Sequence, residues 1–341
     1  MRFRGGRQAG FAFFRRIWNT VVRQEMLKAA GQSLRTYCQR NRAPAENRGR
    51  KLVMNKGTGL VLEGGAMRGL FTAGVLDVMM EKGIDRQISA AVGVSAGAVF
   101  GCNLKSRQHG RAIRYNLAFS RDWRYSSWRS LLRTGNLYGE EFCYDTLPNE
   151  LDPFDSKAFA ENPMKFYCVC TDLETGRPFY HLCTDGGPED LKFFQASASM
   201  PVVSRPVEAG GRLYLDGGVS DSIPLVYMEH KGYEKNIVVL TRPLDYVKKP
   251  SSMMPVIRKA MKDYPMIAED MEVRHLRYNR RTAYIQSREE SGHVFVIRPD
   301  RALGISRVEK DPEKLLRVYH LGRKQMEEQA GELMDWLAEQ S

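Results

Sequence analysis

The stretch AAVGVSAGA, residues 90–98, is an apolar run that leads directly into a serine flanked by small residues. Ser95 is the centre of a G-x-S-x-G pattern that spans Gly93 to Gly97. The run before it predicts a buried β-strand, and the residues after it, AGAVFGCNLKS, predict a helix. A serine at such a sharp strand-to-helix turn exposes its hydroxyl, and the first N–H groups of the helix favour negative charge nearby. We therefore take Ser95 as the candidate nucleophile.

The flanking segments repeat this order of strand and then helix. TGLVLEGG from Thr58 predicts a buried strand with a glycine turn, and LFTAGVLDVMMEKG predicts a helix that ends at Gly83. KNIVVLTRP and HVFVIRP predict further core strands, residues 105–165 predict a helical insertion, and residues 311–339 predict a final amphipathic helix. The alternation is typical of the α/β class with a mostly parallel sheet.

The charge of the chain is concentrated at its start. Residues 1–53 hold 13 Lys and Arg against 2 Asp and Glu, whereas the remaining 288 residues hold 39 against 38. Since the neutral body has no basic stripe, we expect no nucleic-acid partner. Residues 58–245 are predicted to form a catalytic domain, and residues 246–341 a helical C-terminal extension packed on it.

The basic segment 1–53 leaves three interpretations open. It contains FAFFRRIWNTVVRQEMLKAA, which predicts an amphipathic helix. It is a non-native product of a start codon assigned upstream of Met54, a helix that binds a membrane surface, or an organelle presequence. No window reaches the roughly 18–20 apolar residues of a membrane span. We expect a cytoplasmic location, with peripheral contact at the inner membrane face under the second interpretation.

The six cysteines form no C-x-x-C pair. Cys168 and Cys170 alternate in FYCVC and face one side of a strand, which favours buried, reduced thiols over a disulfide. No group of His and Asp residues has the sequence spacing of metal ligands, so we expect neither a metal nor a cofactor.

A second glycine turn, EGGAMRG, follows the first predicted strand. Its unpaired N–H groups are natural donors to the oxyanion that forms when a hydroxyl attacks a carbonyl, and one such donor lowers the barrier by about 3–4 kcal/mol. A dinucleotide-binding loop is excluded because that pattern requires glycine where Ala66 stands, and because the next strand ends at Ser95 rather than at an acidic residue. The candidate oxyanion loop comprises Gly64, Gly65, Ala66, Met67, Arg68 and Gly69.

A general base must accept the serine proton, and histidine is the usual choice. None of the six histidines stands at a strand end beside a glycine turn. Asp216 does, because LYLDGG predicts a strand followed by two glycines whose N–H groups orient the carboxylate. An ordinary D-G-G turn is the alternative reading of the same residues.

In the order GGAMRG, GVSAG, ASASMP and DGG, the chain resembles the patatin-like phospholipase family. The resemblance implies a three-layer α/β/α fold with a central, mostly parallel sheet and a nucleophile elbow. It also implies a Ser–Asp dyad without histidine, in which Ser95 is the nucleophile and Asp216 the general base. Backbone N–H groups around Gly64, Gly65 and Ala66 would form the oxyanion hole, and Arg68 would shape the loop.

The resemblance runs from Thr58 almost to the C-terminus and also includes WRSLLRTGNLYG, CTDLETGRP and RALGISRVEKDPEKL, which are similar to a bacterial subfamily. Ala66 is a departure, since many members carry a third glycine there. The implied activity is that of a serine acyl-ester hydrolase acting on lipids, of the phospholipase A or lysophospholipase type. The alternative is a catalytically weak lipid-binding or regulatory scaffold with the same fold.

The expected partners are a lipid or acyl-ester substrate and a peripheral membrane surface; the sequence leaves the oligomeric state open. An aromatic stretch in the insertion has two interpretations, an acyl groove or lid on one hand and the core of the insertion on the other. Its residues are Trp123, Tyr125, Trp128, Leu131 and Leu132.

Overall fold

The computed structural model describes residues 56–339, and the interpretations of residues 1–53 lie outside them. Within the described residues, eight strands form one sheet. In chain order they are β1 Thr58–Leu62, β2 Ile88–Val94, β3 Lys165–Asp172, β4 Pro178–Cys183, β5 Val207–Ala209, β6 Arg212–Asp216, β7 Lys235–Val239 and β8 Val294–Ile297.

Helices fill most of the connections. No helix among residues 56–339 is both long and apolar enough to cross a membrane. In chain order the α-helices are α1 Gly69–Glu81, α2 Ala96–Lys105, α3 Arg111–Phe119, α4 Trp128–Thr134, α5 Ser156–Glu161, α6 Pro188–Ser197, α7 Leu225–His230, α8 Met254–Ala260, α9 Pro265–Glu290 and α10 Pro312–Ala338, with a π-helix at Phe142–Leu151 between α4 and α5.

The sheet is mostly parallel, as predicted. Strands β3, β2, β1, β7 and β8 pair in that order and all run parallel, whereas β4, β5 and β6 pair antiparallel. The α/β fold class is therefore confirmed. The boundary between residues 245 and 246 stays a prediction, but the sheet crosses it because Val294–Ile297 pairs with β7.

Alternate side chains of the strands fill two apolar layers, one on each face of the sheet. Leu60 and Leu62 of β1 pack into the layer formed with α1, α2, α6 and α10. Val61 points the other way, into the layer that contains Tyr278 and Ile285 of α9. The result is the three-layer α/β/α arrangement, with the helical insertion of residues 105–165 beside the first layer.

One edge of β3 holds two strands in succession. Val169 of β3 is opposite Val94 at the end of β2, and Cys170 is opposite Asp216 at the end of β6. Strand β4 occupies the other edge over Phe166 to Thr171. Strand β6 therefore begins to pair where β2 stops, and the ends of these two strands lie next to each other on neighbouring residues of β3, about 3.3 Å apart along the strand.

Helices α1 and α10 cross at very short range because glycines face the partner backbone. A Cβ placed on Gly322 of α10 would lie 2.7 Å from the carbonyl carbon of Phe71 in α1 and closer still to its oxygen. Gly331, nine residues further along the same helix, has no atom within 4 Å of a Cβ position. Only the first glycine is required by packing.

We predict that Gly322→Ala lowers the free energy of unfolding by about 1–3 kcal/mol, because the added methyl forces α1 and α10 apart. The control is Gly331→Ala, which should raise it by about 0.5–1 kcal/mol through the better helix propensity of alanine. Urea denaturation of both variants measures the difference. Equal effects of the two substitutions would contradict a close helix crossing at Gly322.

Candidate active site

Ser95 occupies the turn between β2 and α2, with φ of 55° and ψ of −126°. This is a left-handed backbone conformation that non-glycine residues rarely adopt, and it persists because the surrounding structure fixes it. The Ser95 N–H donates a hydrogen bond to Ser197 Oγ at 2.9 Å. The side chain is half-buried and lines a cavity. The structure therefore has the sharp elbow that the sequence predicts.

Asp216 is the last residue of β6 and is only 2% exposed. The Ser95 hydroxyl donates a hydrogen bond to its carboxylate, and the Gly218 N–H donates another to Oδ1 at 2.7 Å. Burial raises the pKa of Asp216 above its ordinary value, while the hydrogen bond from Ser95, the Arg274 charge and the Gly218 N–H oppose the rise. The fold thus brings the two predicted residues into contact across 121 residues of sequence.

Ser197, in the ASASMP motif, bridges the junction between β2 and β6. Its hydroxyl accepts the Ser95 N–H and donates to the Val169 carbonyl at 2.6 Å. Val169 is the last residue of β3 opposite β2, so this serine replaces the partner that the sheet lacks at the break. The ASASMP motif indicates the family, but its sequence predicts no role for Ser197.

The predicted oxyanion loop lies directly against Ser95. A Cβ on Gly64 would be 2.8 Å from the Ser95 Cβ, so only glycine permits this approach. Among residues 56–339, the N–H groups of Gly64, Gly65 and Ala66 have no hydrogen-bond partner. Ala66 keeps its N–H in spite of its methyl group and adopts a positive φ of 50°. The loop that contacts the candidate nucleophile therefore carries three N–H groups without partners.

The backbone N–H groups in the second half of the predicted loop have hydrogen-bond partners. The Arg68 N–H donates to the Gly65 carbonyl at 3.2 Å, and the Gly69 N–H donates to the carbonyls of Ala66 and Met67. These two N–H groups close the turn and are not free donors, contrary to the prediction. Met67 is 2% exposed, and its side chain packs in the core.

Glu63 anchors the loop from behind, a role that sequence reasoning missed. It is buried, and its Oε2 accepts the Thr241 N–H at 2.6 Å and the Thr241 hydroxyl at 3.0 Å. The Tyr278 hydroxyl of α9 donates to Oε1 at 2.7 Å. These bonds join the ends of β1 and β7 to α9 and hold the turn in place.

The cavity beside Ser95 has a volume of about 410 Å³ and extends beneath the helical insertion. This size lies in the range of small-molecule binding sites. Its walls are mainly aromatic and aliphatic, with contributions from Phe100, Tyr115, Leu137, Tyr144, Phe154 and Phe194. Such a cavity accepts a hydrocarbon chain.

The aromatic stretch of the insertion divides between the two predicted roles. Tyr125 is buried and lines the cavity, which fits both interpretations. Trp128 lines the cavity while 71% exposed, and Leu132 is 88% exposed and belongs to no core. The prediction that the stretch forms the core of the insertion is therefore wrong for Trp128 and Leu132 of α4, which are exposed.

The fold gathers His181, Cys183 and Asp190, whose donor atoms all lie within 4.8 Å of one another. The expectation considered groups of His and Asp residues and did not include this group, which contains Cys183. Asp190 is occupied by protein donors: His181 Nε2 lies 2.6 Å from Oδ1, and three backbone N–H groups, of residues 184–186, donate to Oδ2. The arrangement ties the loop after β4 to α6.

The cysteines among the described residues are free thiols. Cys168 and Cys170 both point their Sγ atoms at the Phe193 carbonyl, which confirms that they share one face of β3. Burial raises the pKa of the Cys170 thiol well above its ordinary value. The Cys170 thiol is therefore a protonated, structural side chain.

We predict that Ser197→Ala lowers the free energy of unfolding by about 1–3 kcal/mol, because it leaves the Ser95 N–H and the Val169 carbonyl without partners. Ser199→Ala is the matched control, since the Ser199 hydroxyl donates only to the Gln195 carbonyl of its own helical turn. Its effect should stay below about 1 kcal/mol. Thermal unfolding followed by circular dichroism compares them, and equal losses would contradict the bridging role.

Two family models match this chain. The model described as patatin-like phospholipase matches residues 60–228, which include Ser95, Asp216 and the glycine loop. A second model, described as a domain of unknown function (DUF6363), matches residues 264–338, from the start of α9 to the end of α10.

Several curated proteins are similar to the chain over about half its length. The uncharacterized protein YjjU of Escherichia coli is 31% identical over 193 residues, which cover 54% of this chain and 52% of that protein. Lysophospholipase NTE1 of Debaryomyces hansenii is 28% identical over 195 residues, covering 55% of this chain and 12% of the fungal protein. Lysophospholipase nte1 of Aspergillus oryzae is 25% identical over 183 residues, covering 53% and 11%.

The chain therefore spans about half the length of the first of these relatives and about a tenth of the lysophospholipases. Among solved structures, VipD from Legionella pneumophila superimposes with a TM-score of 0.40 at 12% identity, over 83% of this chain and 67% of that one.

Proposed function

Because residues 60–228 belong to the patatin-like phospholipase family, we propose that this chain is a serine acyl-ester hydrolase that acts on lipids, with phospholipase A or lysophospholipase activity. The observation that carries the proposal is the hydrogen bond from the Ser95 hydroxyl to the Asp216 carboxylate, beside three free N–H groups and an apolar cavity. The lysophospholipases among the relatives support a lipid substrate.

In the first half-reaction Asp216 accepts the Ser95 proton as the hydroxyl oxygen forms a bond to the ester carbonyl carbon. Negative charge develops on the carbonyl oxygen, and the N–H groups of Gly64, Gly65 and Ala66 stabilise it. The tetrahedral intermediate collapses with cleavage of the ester C–O bond, and protonated Asp216 gives its proton to the departing alkoxide. An alcohol or lysolipid leaves, and the acyl group stays on Ser95.

In the second half-reaction a water molecule gives a proton to Asp216, and the oxygen of this water attacks the acyl carbon. The Ser95–acyl bond breaks, the serine oxygen takes the proton back from Asp216, and a carboxylic acid is released. Throughout both steps the cavity of about 410 Å³ holds the hydrocarbon chain and fixes the carbonyl near Ser95.

The surroundings of Asp216 suit a carboxylate that acts as the only base. Burial raises its pKa, so the ionised form is a stronger base than an ordinary aspartate. The Gly218 N–H and the Ser95 hydroxyl keep its oxygens oriented. The raised pKa also lowers the free energy of unfolding at neutral pH, because the folded protein then holds a buried, ionised carboxylate.

We predict that kcat/KM for a short-chain ester falls on the acid side with a pKa above that of a free aspartate, about 3.9, because protonated Asp216 cannot accept the serine proton. Asp216→Asn should leave less than about a tenth of the activity at any pH. The folded-state pKa lies above the unfolded one, so the ionised carboxylate costs stability at neutral pH and Asn relieves this cost. The melting temperature of the variant at pH 7 should therefore be unchanged or higher. Substantial activity in Asp216→Asn would show that another residue is the general base.

We predict that a fluorophosphonate probe labels the wild-type protein at Ser95, because the probe needs an activated serine hydroxyl. Ser95→Ala should abolish labelling. Ser204→Ala, which alters another serine of the same cavity, should keep it. Intact-mass spectrometry measures the adduct. Absence of labelling in the folded wild type would favour the lipid-binding scaffold instead of the hydrolase.

A further inference from the structure

The cavity beside Ser95 is bordered by two short helices, α4 and α8. Trp128 is the first residue of α4, and Met253 immediately precedes α8. Both side chains line the cavity although they are 71% and 49% exposed. They therefore lie where the cavity opens to solvent.

The segment of residues 200–203 connects the two sides of this opening. The Val203 carbonyl accepts the Leu137 N–H at 2.8 Å, three residues after the end of α4. Val202 packs against the apolar cluster that contains Ile257, the buried residue of α8. Because all four of these residues line the cavity, the two helices border one continuous entrance.

The outer faces of the two helices carry large apolar side chains. Leu132 lies one turn after Trp128 and is 88% exposed. Val256 lies one turn after Met253 and is 46% exposed. The buried residue of α4 is Ser130, so the usual pattern of a surface helix, apolar inside and polar outside, is inverted. We call Trp128, Leu132, Met253 and Val256 the entrance patch.

Positive side chains accompany the entrance patch. Helix α4 contains Arg129 and Arg133, helix α8 contains Arg258 and Lys259, all four are exposed, and neither helix contains an acidic residue. This excess is local, because residues 54–341 hold 39 Lys and Arg against 38 Asp and Glu. Arg258 pairs with Glu272 at 2.8 Å, whereas the other three form no ion pair within residues 56–339.

The two arginines of α4 also lie over a second tryptophan. The guanidinium of Arg129 is 4.4 Å from the centre of the Trp123 ring, and that of Arg133 is 5.5 Å from it. Such contacts orient the charges beside apolar surface without neutralising them. Exposed tryptophan with adjacent basic side chains is typical of helices that lie in the interface of a bilayer, where rings enter the headgroup region and cations meet the lipid phosphates.

We propose that the entrance patch binds the surface of an anionic lipid bilayer, with its apolar side chains inserted and its basic side chains on the acidic headgroups. A bilayer matches both features, since it places an apolar layer beneath a negatively charged surface. A second copy of this chain matches them less well, because a twofold interface at this patch would bring the same positive charges together. The delivery of a lipid from the bilayer into the cavity rests on the proposed function, whereas bilayer binding does not.

The test measures the sedimentation of the full chain with vesicles of equal parts phosphatidylglycerol and phosphatidylcholine. Ser95→Ala is the parent, so that no lipid is hydrolysed. Leu132→Gln combined with Val256→Gln should weaken binding about tenfold or more, because two apolar side chains no longer insert. The matched control is Leu316→Gln combined with Met334→Gln, two exposed apolar residues of α10, a helix that does not line the cavity. The control should bind within about twofold of the parent.

A second arm separates the charges from the apolar side chains. Arg133→Gln combined with Lys259→Gln should weaken binding to the anionic vesicles about tenfold or more, since each basic residue near an anionic surface contributes to affinity. Binding of this variant to vesicles of pure phosphatidylcholine should stay within about twofold of the parent. Lys82→Gln combined with Lys157→Gln, at two exposed lysines outside α4 and α8, is the charge-matched control and should leave both kinds of binding unchanged.

Vesicle binding that is equal in the parent and in both entrance variants would overturn the proposal and assign any binding to another part of the chain. A change from dimer to monomer in Leu132→Gln with Val256→Gln, without loss of vesicle binding, would also overturn it and identify the patch as an interface between copies. Size-exclusion chromatography measures this outcome.

A third readout uses the chain with Ser95 intact. Leu132 and Val256 do not line the cavity, so the double variant should change hydrolysis of a soluble short-chain ester by less than about twofold. It should slow hydrolysis of the vesicle lipid about tenfold or more. Entrance-dependent vesicle binding without hydrolysis of either substrate would contradict the proposed function and leave bilayer binding supported.

Discussion

The candidate site depends on two neighbouring residues of β3. Val169 is paired with the end of β2 and Cys170 with the end of β6, so that one continuous strand holds Ser95 and Asp216 at adjacent positions. The break between the two partner strands leaves the Val169 carbonyl without a ladder partner, and the Ser197 hydroxyl fills this place while it also accepts the Ser95 N–H. A strand is stiff and its repeat is about 3.3 Å, which makes it an accurate support for a short hydrogen bond.

The parts of this arrangement that follow from local sequence could be predicted. The apolar run before Ser95, the glycines around it and the strand in LYLDGG indicate their own structures, and the motif order indicates the family. The meeting of β2 and β6 on one edge of β3 could not be derived from local pattern, because pairing across more than a hundred residues leaves no mark in either segment. Residues 246–341 are predicted to be helical, but the bounds of α9 within them could not be predicted. Only a narrow stripe of this helix is buried within a highly charged stretch, and it includes Ile267, Met271, Tyr278 and Ile285. Glu63 looked like a strand end, and its function as an anchor depends on Tyr278 from that helix.

Several features of the candidate site lower the stability of the fold. Ser95 and Ala66 both adopt positive φ, and each such strained residue costs on the order of 1–3 kcal/mol. Burial raises the pKa of Asp216 above its ordinary value, so the ionised carboxylate is disfavoured there. These features oppose folding, yet they share one small region between the sheet and α9. Destabilising features of this kind cluster at functional sites, because a core that serves only packing can use neutral, unstrained residues at the same positions.

The most direct test of the central claim is a crystal structure of the ligand-free protein at a resolution that orders the Ser95 side chain. We expect Ser95 Oγ and a carboxylate oxygen of Asp216 to lie about 2.5–3.0 Å apart, as in an O–H···O hydrogen bond, with Val169 opposite the end of β2 and Cys170 opposite the end of β6. A separation above about 4.5 Å, too long for a direct hydrogen bond, or a β6 shifted by a residue along β3, would contradict it.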